Sequence, residues 1–264
     1  MAGISITQIK EEYKQVSHFG LMEYESEMVF LNTFIQKYDS DERAGVKSII
    51  KQAEKKLAAL KAELERINKM TYFEKKYSDE YHHICGVDEV GRGPLAGPIV
   101  TAAVILPEGL IIPGLNDSKQ VNEKKREELF DIIMEKAVSV CIGRRSEKEI
   151  DDQGIAVCDM AAMRDAVLGL STPADMVLVD AFKIPGLDLK QVPIVKGDTL
   201  SVSIAAASII AKVTRDRLME EYAIKYPEYG FDSNKGYGSA KHIEAIKTIG
   251  PCEIHRRSFI TSFV

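Results

Sequence analysis

Val46, Ile50, Ala53, Leu57, Leu60, Leu64 and Ile67 recur at an alternating spacing of four and three residues. Over roughly three heptads this lines one face of a helix. Lys, Glu, Gln and Ala fill most positions between them. The spacing predicts an amphipathic helix, and the segment from about Met22 to Tyr38 predicts another. Roughly three heptads is marginal for a free-standing coiled coil, so a helical hairpin docked on the rest of the chain is expected. TYFEKKYSDEYHH, residues 71–83, reads as a linker or short helix.

From Ile84 the pattern changes. ICGVDEV reads as a short strand, GRGPLAGP as a turn, and IVTAAVIL as a β-branched run suited to a buried strand. Strand, tight loop and strand make a hairpin. A loop then leads into a helix with Asn122 as N-cap and Lys124 to Ala137 as its body. SVCIGRR is a third strand, and residues 150–170 a helix carrying one weak glycine. DMVLVDAF and VPIVKGD are short buried strands, each followed by a carboxylate. Residues 203–227 form a long helix, apolar almost all round in its first half, and KHIEAIKTIGP closes with a shorter one. The order predicts an α/β domain over residues 81–264, with a mixed sheet flanked by helices, after a helical N-terminal extension over residues 1–80.

Composition limits the possible roles. The chain has 264 residues and a net charge of −5, which by itself argues weakly against a nucleic-acid binder. A local basic groove and an acidic metal site can coexist with that balance. The longest apolar stretch, roughly Pro98 to Pro107, is too short for a bilayer, so no membrane association is expected. MAGISITQIKEEYK lacks the pattern of a signal peptide, and a cytoplasmic location is expected. Cys85, Cys141, Cys158 and Cys252 stand alone, without zinc spacing, and read as reduced thiols. His82 and His83 read as solvated.

Two motifs compete for the chemistry. Gly91-Arg-Gly-Pro-Leu-Ala-Gly97 follows a strand, but its spacing is GxGxxxG and a β-branched run follows, so no helix N-terminus could receive a pyrophosphate. There is also no GxxxxGK[ST]. The stronger candidate is a set of carboxylates at strand ends: Asp88 and Glu89 terminating the first strand, Asp180 after MVLV, and Asp198 after VPIVKG. Any one alone could cap a helix or start a turn. Gathered at neighbouring strand ends they would repel and their pKa values would rise. A hard divalent ion such as Mg²⁺ or Mn²⁺ relieves that. Residues 88 and 89 point to opposite faces of a regular strand, so a shared site requires the strand to end, bend or bulge there. Lys235-Gly-Tyr-Gly238, His242 and His255-Arg-Arg257 suit contact with a sugar-phosphate backbone, although a solvated loop is the simpler reading. Lys212, Arg215 and Arg217 are similar, some of them serving as ion-pair partners for Asp216 or Glu220.

GVDEVGRGPLAGP resembles the signature of the type 2 ribonucleases H. So do LNDSK at 115–119, VLVDA at 177–181, KGD at 196–198, AAASIIAKVTRDR at 205–217, NKGYGS at 234–239 and HRRSF at 255–259. These motifs stand in the family's order across about residues 84–260. The resemblance implies a ribonuclease H-like fold and two Mn²⁺ or Mg²⁺ ions per active site on Asp88, Glu89, Asp180 and Asp198. It implies that Gly91, Arg92 and Gly93 read a ribonucleotide 2′-hydroxyl, that Tyr237 packs on the neighbouring deoxyribose, and that Lys119 holds a phosphate. The implied substrates are RNA/DNA hybrids and DNA duplexes with embedded ribonucleotides, cut to 3′-hydroxyl and 5′-phosphate ends during ribonucleotide removal. A monomer is expected, with protein partners unknown. Type 3 relatives differ at Arg92, and many relatives carry His where Asn234 stands. Alternatives are a type 3 enzyme, another metal-dependent phosphohydrolase acting on a small molecule, or recruitment through the N-terminal helices as a binding module.

Overall fold

The computed structural model describes residues 4–262 and 264. They divide into two units, Met1–Lys69 with Ile111–Gly114, and Met70–Leu110 with Leu115–Val264.

The first unit is built from α1 (Ile6–Lys14), α2 (Tyr24–Tyr38) and α3 (Ala44–Met70). Ser5 starts α1 with a reciprocal capping box: its hydroxyl accepts from the Gln8 N–H while the Gln8 side chain accepts from the Ser5 N–H. Ile9, Leu31, Phe34, Tyr38, Val46, Ile50, Ala53 and Leu57 form a core of their own. The extension is therefore a three-helix unit rather than a two-helix hairpin. The additional helix, α1, is short and buries one residue, Ile9, too few to leave a periodic signal.

The second unit runs α4 (Tyr72–Tyr77), β1 (Ile84–Val90), β2 (Ile99–Ile105), α5 (Glu123–Lys136), β3 (Ser139–Arg145), α6 (Glu147–Gln153) and α7 (Ile155–Leu168). It continues through β4 (Met176–Asp180), β5 (Lys190–Ile194), α8 (Val202–Lys225), α9 (Phe231–Asn234) and α10 (Ala240–Ile249). The five strands form one mixed sheet in the order β3-β2-β1-β4-β5. β1 and β2, and β2 and β3, are antiparallel, while β4 pairs parallel with both β1 and β5.

Helices cover both faces, and two glycines set how closely. A Cβ on Gly86 would lie 2.0 Å from the Ser203 carbonyl carbon, so only glycine lets α8 lie on β1. A Cβ on Gly143 would lie 2.0 Å from the Ala162 carbonyl oxygen, so β3 meets α7 in the same way. Met163, Ala166 and Val167 of α7 pack with Cys85, Val87, Val177 and Val179, while Ile204 of α8 packs with Ile84, Met176 and Leu178. The apolar first half of α8 is buried, as its sequence predicts. The single helix expected over residues 150–170 is two, because Gly154 takes a left-handed φ of +83° between α6 and α7. Among the described residues no helix is long and apolar enough to cross a membrane.

Candidate active site

The strand-end carboxylates lie towards one end of the sheet, where the parallel pairing of β1 with β4 stops at Val87 and Val179. β1 continues to Val90 against β2, with Asp88 opposite Ala102 and Glu89 opposite Thr101. No bulge interrupts this ladder, and the strand ends one residue later, at Val90. Alternation therefore puts Asp88 on the α8 face with Ile84 and Gly86, and Glu89 on the α7 face with Cys85 and Val87. Both lie beside the end of β4, where Asp180 stands.

The four acids share an electrostatic field. Asp88 is buried, and burial pushes its carboxyl well above the ordinary range, with Glu89 and Asp180 adding to the rise and the Ser208 hydroxyl opposing it. Burial also raises Glu89, partly offset by Arg92 and reinforced by Asp180. Asp198 is pushed up to about 6 by burial, then by Asp117 and Asp180. Asp180 is anchored by the Gly197 N–H, which donates to Oδ1 at 2.8 Å. That bond joins the end of β4 to the turn after β5, where Lys196 adopts a left-handed φ of +59° and Asp198 follows.

Besides Arg92, Lys119 is a cation close to these acids. Burial would lower its pKa, but Asp117, Asp88, Asp198 and Glu89 together raise it. Its turn is held in place because the Lys119 N–H donates to Asp117 Oδ1 at 3.0 Å, and the Ser208 hydroxyl of α8 donates to Ser118 Oγ at 3.0 Å. The donors gathered here are all carboxylate oxygens, which suits a hard divalent ion in chemistry and charge. Among the described residues, however, no three His, Cys, Asp or Glu side chains converge closely enough to hold an ion unaided. Asp88 and Glu89 stand on opposite faces of β1, so an ion held by both would require their oxygens to be drawn inward.

Beside the acids lies the 91–98 turn, with Gly91 at φ +98°. It is knitted to the 235–238 loop: the Leu95 N–H donates to the Gly236 carbonyl at 2.8 Å, and a Cβ on Gly93 would lie 3.9 Å from the Tyr237 ring. Tyr237 remains 44% exposed, so its ring faces solvent next to Gly93.

Two buried arginines hold these loops from within. Arg256 donates to the carbonyls of Gly91, Arg92 and Gly97, and Arg215 to those of Ala96, Pro98 and Lys235. Arg215 is thus neither a phosphate contact nor an ion-pair partner. His255 Nε2 lies 3.0 Å from His242 Nε2, and His242 Nδ1 lies 2.8 Å from the Tyr237 carbonyl. The Cys252 N–H donates to His255 Nδ1 at 3.0 Å. These partners fix one set of neutral tautomers: His255 donates to His242, which donates to Tyr237. His242, His255 and Arg256 are buried, which corrects the solvated-loop reading of these positions. Asp216 pairs with Lys212 at 2.7 Å, and Arg217 pairs with Glu127, so both serve the scaffold.

Sequence reasoning missed two acids at this site. Asp117 sits beside Lys119 and Asp198. Asp159 on α7 is fully buried, lies 3.2 Å from Arg92, and is pushed up to about 7 by burial and by Glu89.

The family model described as "Ribonuclease HII" matches residues 85–262, and "Ribonuclease HII N-terminal domain" matches residues 5–78. The chain belongs to the ribonuclease HII family. Curated members include ribonuclease HII of Lachnoclostridium phytofermentans, 49% identical over 257 residues that cover 97% of each chain. That of Ruminiclostridium cellulolyticum is 55% identical over 203 residues, covering 76% of this chain and 80% of the relative. Among solved structures, the ribonuclease H2 of Pyrococcus horikoshii OT3 superposes with a TM-score of 0.57 at 30% identity, covering 66% of this chain and 92% of that one. The Archaeoglobus fulgidus enzyme, solved as a PCNA:RNase HII complex, gives 0.56 at 26% identity, covering 66% and 93%. This member of the ribonuclease HII family is accordingly a nuclease, a hydrolase acting on the RNA of RNA/DNA hybrids.

Proposed function

We propose that the chain hydrolyses the RNA strand of hybrids and also cuts DNA duplexes on the 5′ side of embedded ribonucleotides, leaving 3′-hydroxyl and 5′-phosphate ends, as a step in ribonucleotide removal. We assign Asp88, Glu89, Asp180 and Asp198 to hold two divalent ions, Mn²⁺ or Mg²⁺. The observation that carries this reading is the shared field: each of Asp88, Glu89 and Asp198 is raised by burial, and each also feels Asp180. Such a cluster is tolerable at neutral pH once a cation occupies it. The ions would supply Lewis acidity toward the phosphodiester and the attacking water.

The protein's own groups supply position. Lys119 brings a positive charge beside the acids and suits the phosphate next to the scissile bond. The Gly91–Arg92–Gly93 backbone is fixed before substrate arrives, because Arg256 engages its carbonyls from inside. A pinned backbone can discriminate a 2′-hydroxyl, the group that separates RNA from DNA. Tyr237, beside Gly93 and exposed, offers a ring for the sugar that follows. We read the chain as a monomer whose partner is the duplex itself. The free thiols of Cys85, Cys141, Cys158 and Cys252 suit a reducing cytoplasm.

The deciding experiment compares a DNA duplex carrying one ribonucleotide with an all-DNA duplex, with and without Mn²⁺ or Mg²⁺, and maps the ends. Metal-dependent cutting 5′ of the ribonucleotide alone is expected. Equal cutting of both duplexes, or cutting in the presence of chelator, defeats the reading. Inert duplexes with hydrolysis of a free nucleotide would point to a small-molecule phosphohydrolase.

A further inference from the structure

Asp159 is oddly placed for a charged group. It is fully buried on α7, and both carboxylate oxygens lack a hydrogen-bond partner. Burying a carboxylate without partners is costly, and a structural role gives no reason to keep it. Its nearest cation is Arg92, whose Nη1 lies 3.2 Å from Oδ2 without the alignment of a hydrogen bond. The same Nη1 lies 3.9 Å from Glu89 Oε1. One guanidinium nitrogen therefore stands between two carboxylates, nearer to the one that is not a proposed metal ligand. The close approach of α7 to the sheet at Gly143 fixes where Asp159 stands.

Arg92 is three residues from Glu89, and a guanidinium fork matches a carboxylate in two-point geometry. Released from Asp159, it can close on Glu89 and occupy the oxygens a divalent ion needs. We propose that Asp159 is a positioning residue that holds Arg92 off Glu89 and so keeps Glu89 open to metal. This rests on the assignment of Glu89 as a metal ligand.

The test is a double-mutant cycle read by Mn²⁺ binding, using titration calorimetry and the metal-induced rise in Tm. Asp159→Asn should weaken Mn²⁺ binding about five- to tenfold, within the range of coupling between neighbouring groups. The Tm of the metal-free variant should match or exceed that of the wild type, whereas loss of a merely structural contact would lower it. Arg92→Ala alone should bind Mn²⁺ at least as tightly as the wild type, and the double variant should match Arg92→Ala. Asp159→Ser is held to the same pattern if the amide variant fails to fold. A loss that persists in full in the Arg92→Ala background would mean that Asp159 acts through its own charge, and would overturn the proposal. Unchanged Mn²⁺ affinity in Asp159→Asn would overturn it too, while leaving the metal assignment intact. A wild type that binds no divalent ion overturns that assignment and this inference with it.

Discussion

The half-buried carboxylate end of the sheet and the buried clamp formed by Arg215, Arg256, His242 and His255 are both polar, yet they are opposites. In the clamp, the two guanidiniums meet carbonyls and the two imidazoles form a directed chain ending on Tyr237. At the acids, neighbouring like charges help push Asp88 and Asp198 up, and the Asp159 carboxylate has no hydrogen-bond partner. A satisfied buried network rigidifies, whereas an unsatisfied one stores unfavourable energy until a missing partner arrives. The difference sets the scaffold apart from the proposed reactive site without reference to any relative.

The largest effect should come from breaking the acid side. Asp88→Asn or Asp180→Asn should lower cleavage by at least ~100-fold, the scale of removing one group that acts directly on the reacting centre. The metal-free Tm of Asp88→Asn should hold or rise, since repulsion and burial of charge are relieved. Near-normal turnover by a clean Asp88→Asn preparation would break the assignment.

The same change in the clamp should act the other way. Arg256→Ala strands the carbonyls of Gly91, Arg92 and Gly97, and should cost about 3 kcal/mol or more of stability. Arg256→Lys should recover only part of it, because a point charge cannot replace the fork. Denaturant titration checks both. A stable Arg256→Ala protein with intact cleavage would show that the clamp does not set the 91–98 turn.

The pH dependence of stability should split by sign. Asp159, pushed up to about 7, contributes stability that is fully present below the unfolded carboxyl pKa of about 4 and is lost as pH rises through about 7. Burial and His242 push His255 down to about 4. It contributes stability that is present above the unfolded imidazole pKa of about 6.5 and is lost as pH falls through about 4. Melting curves of the metal-free protein between about pH 4 and 8 test this. Asp159→Asn should remove the loss on the alkaline side, and His255→Gln should flatten the loss on the acid side. Slopes unchanged in both variants would mean that neither group titrates as its surroundings imply.

The two regions were also unequally legible in the sequence. Asp180 and Asp198 announced themselves because each follows an apolar run, where a carboxylate is conspicuous. Asp159 lies in IAVCDMAAM, where one acid on a helix reads as a solvated face, and only the fold brings it to Arg92. The clamp was hidden for another reason. Arg256 finds its acceptors about 160 residues earlier in the chain, and carbonyls carry no side-chain signature, so a buried arginine there looks like a surface one. The break at Gly154 was visible as a glycine but not as a left-handed one.

Tyr237 lies on the seam between the two regions and should give the smallest and most selective effect. Its backbone carbonyl belongs to the clamp through His242, while its ring stands exposed beside Gly93. Tyr237→Ala removes the ring and keeps the carbonyl, so stability should shift by less than about 0.5 kcal/mol, as for a surface change. Stacking of a ring on a nucleotide is worth about 1–3 kcal/mol. A single embedded ribonucleotide presents one step at which that ring can engage the following deoxyribose. A long hybrid presents many registers, so a weakened contact at any one matters less. Cleavage of the single-ribonucleotide duplex should therefore fall several-fold more than cleavage of the hybrid. Equal losses on both substrates would place Tyr237 with the clamp, as a support for the turn, and remove it from the reading of the sugar.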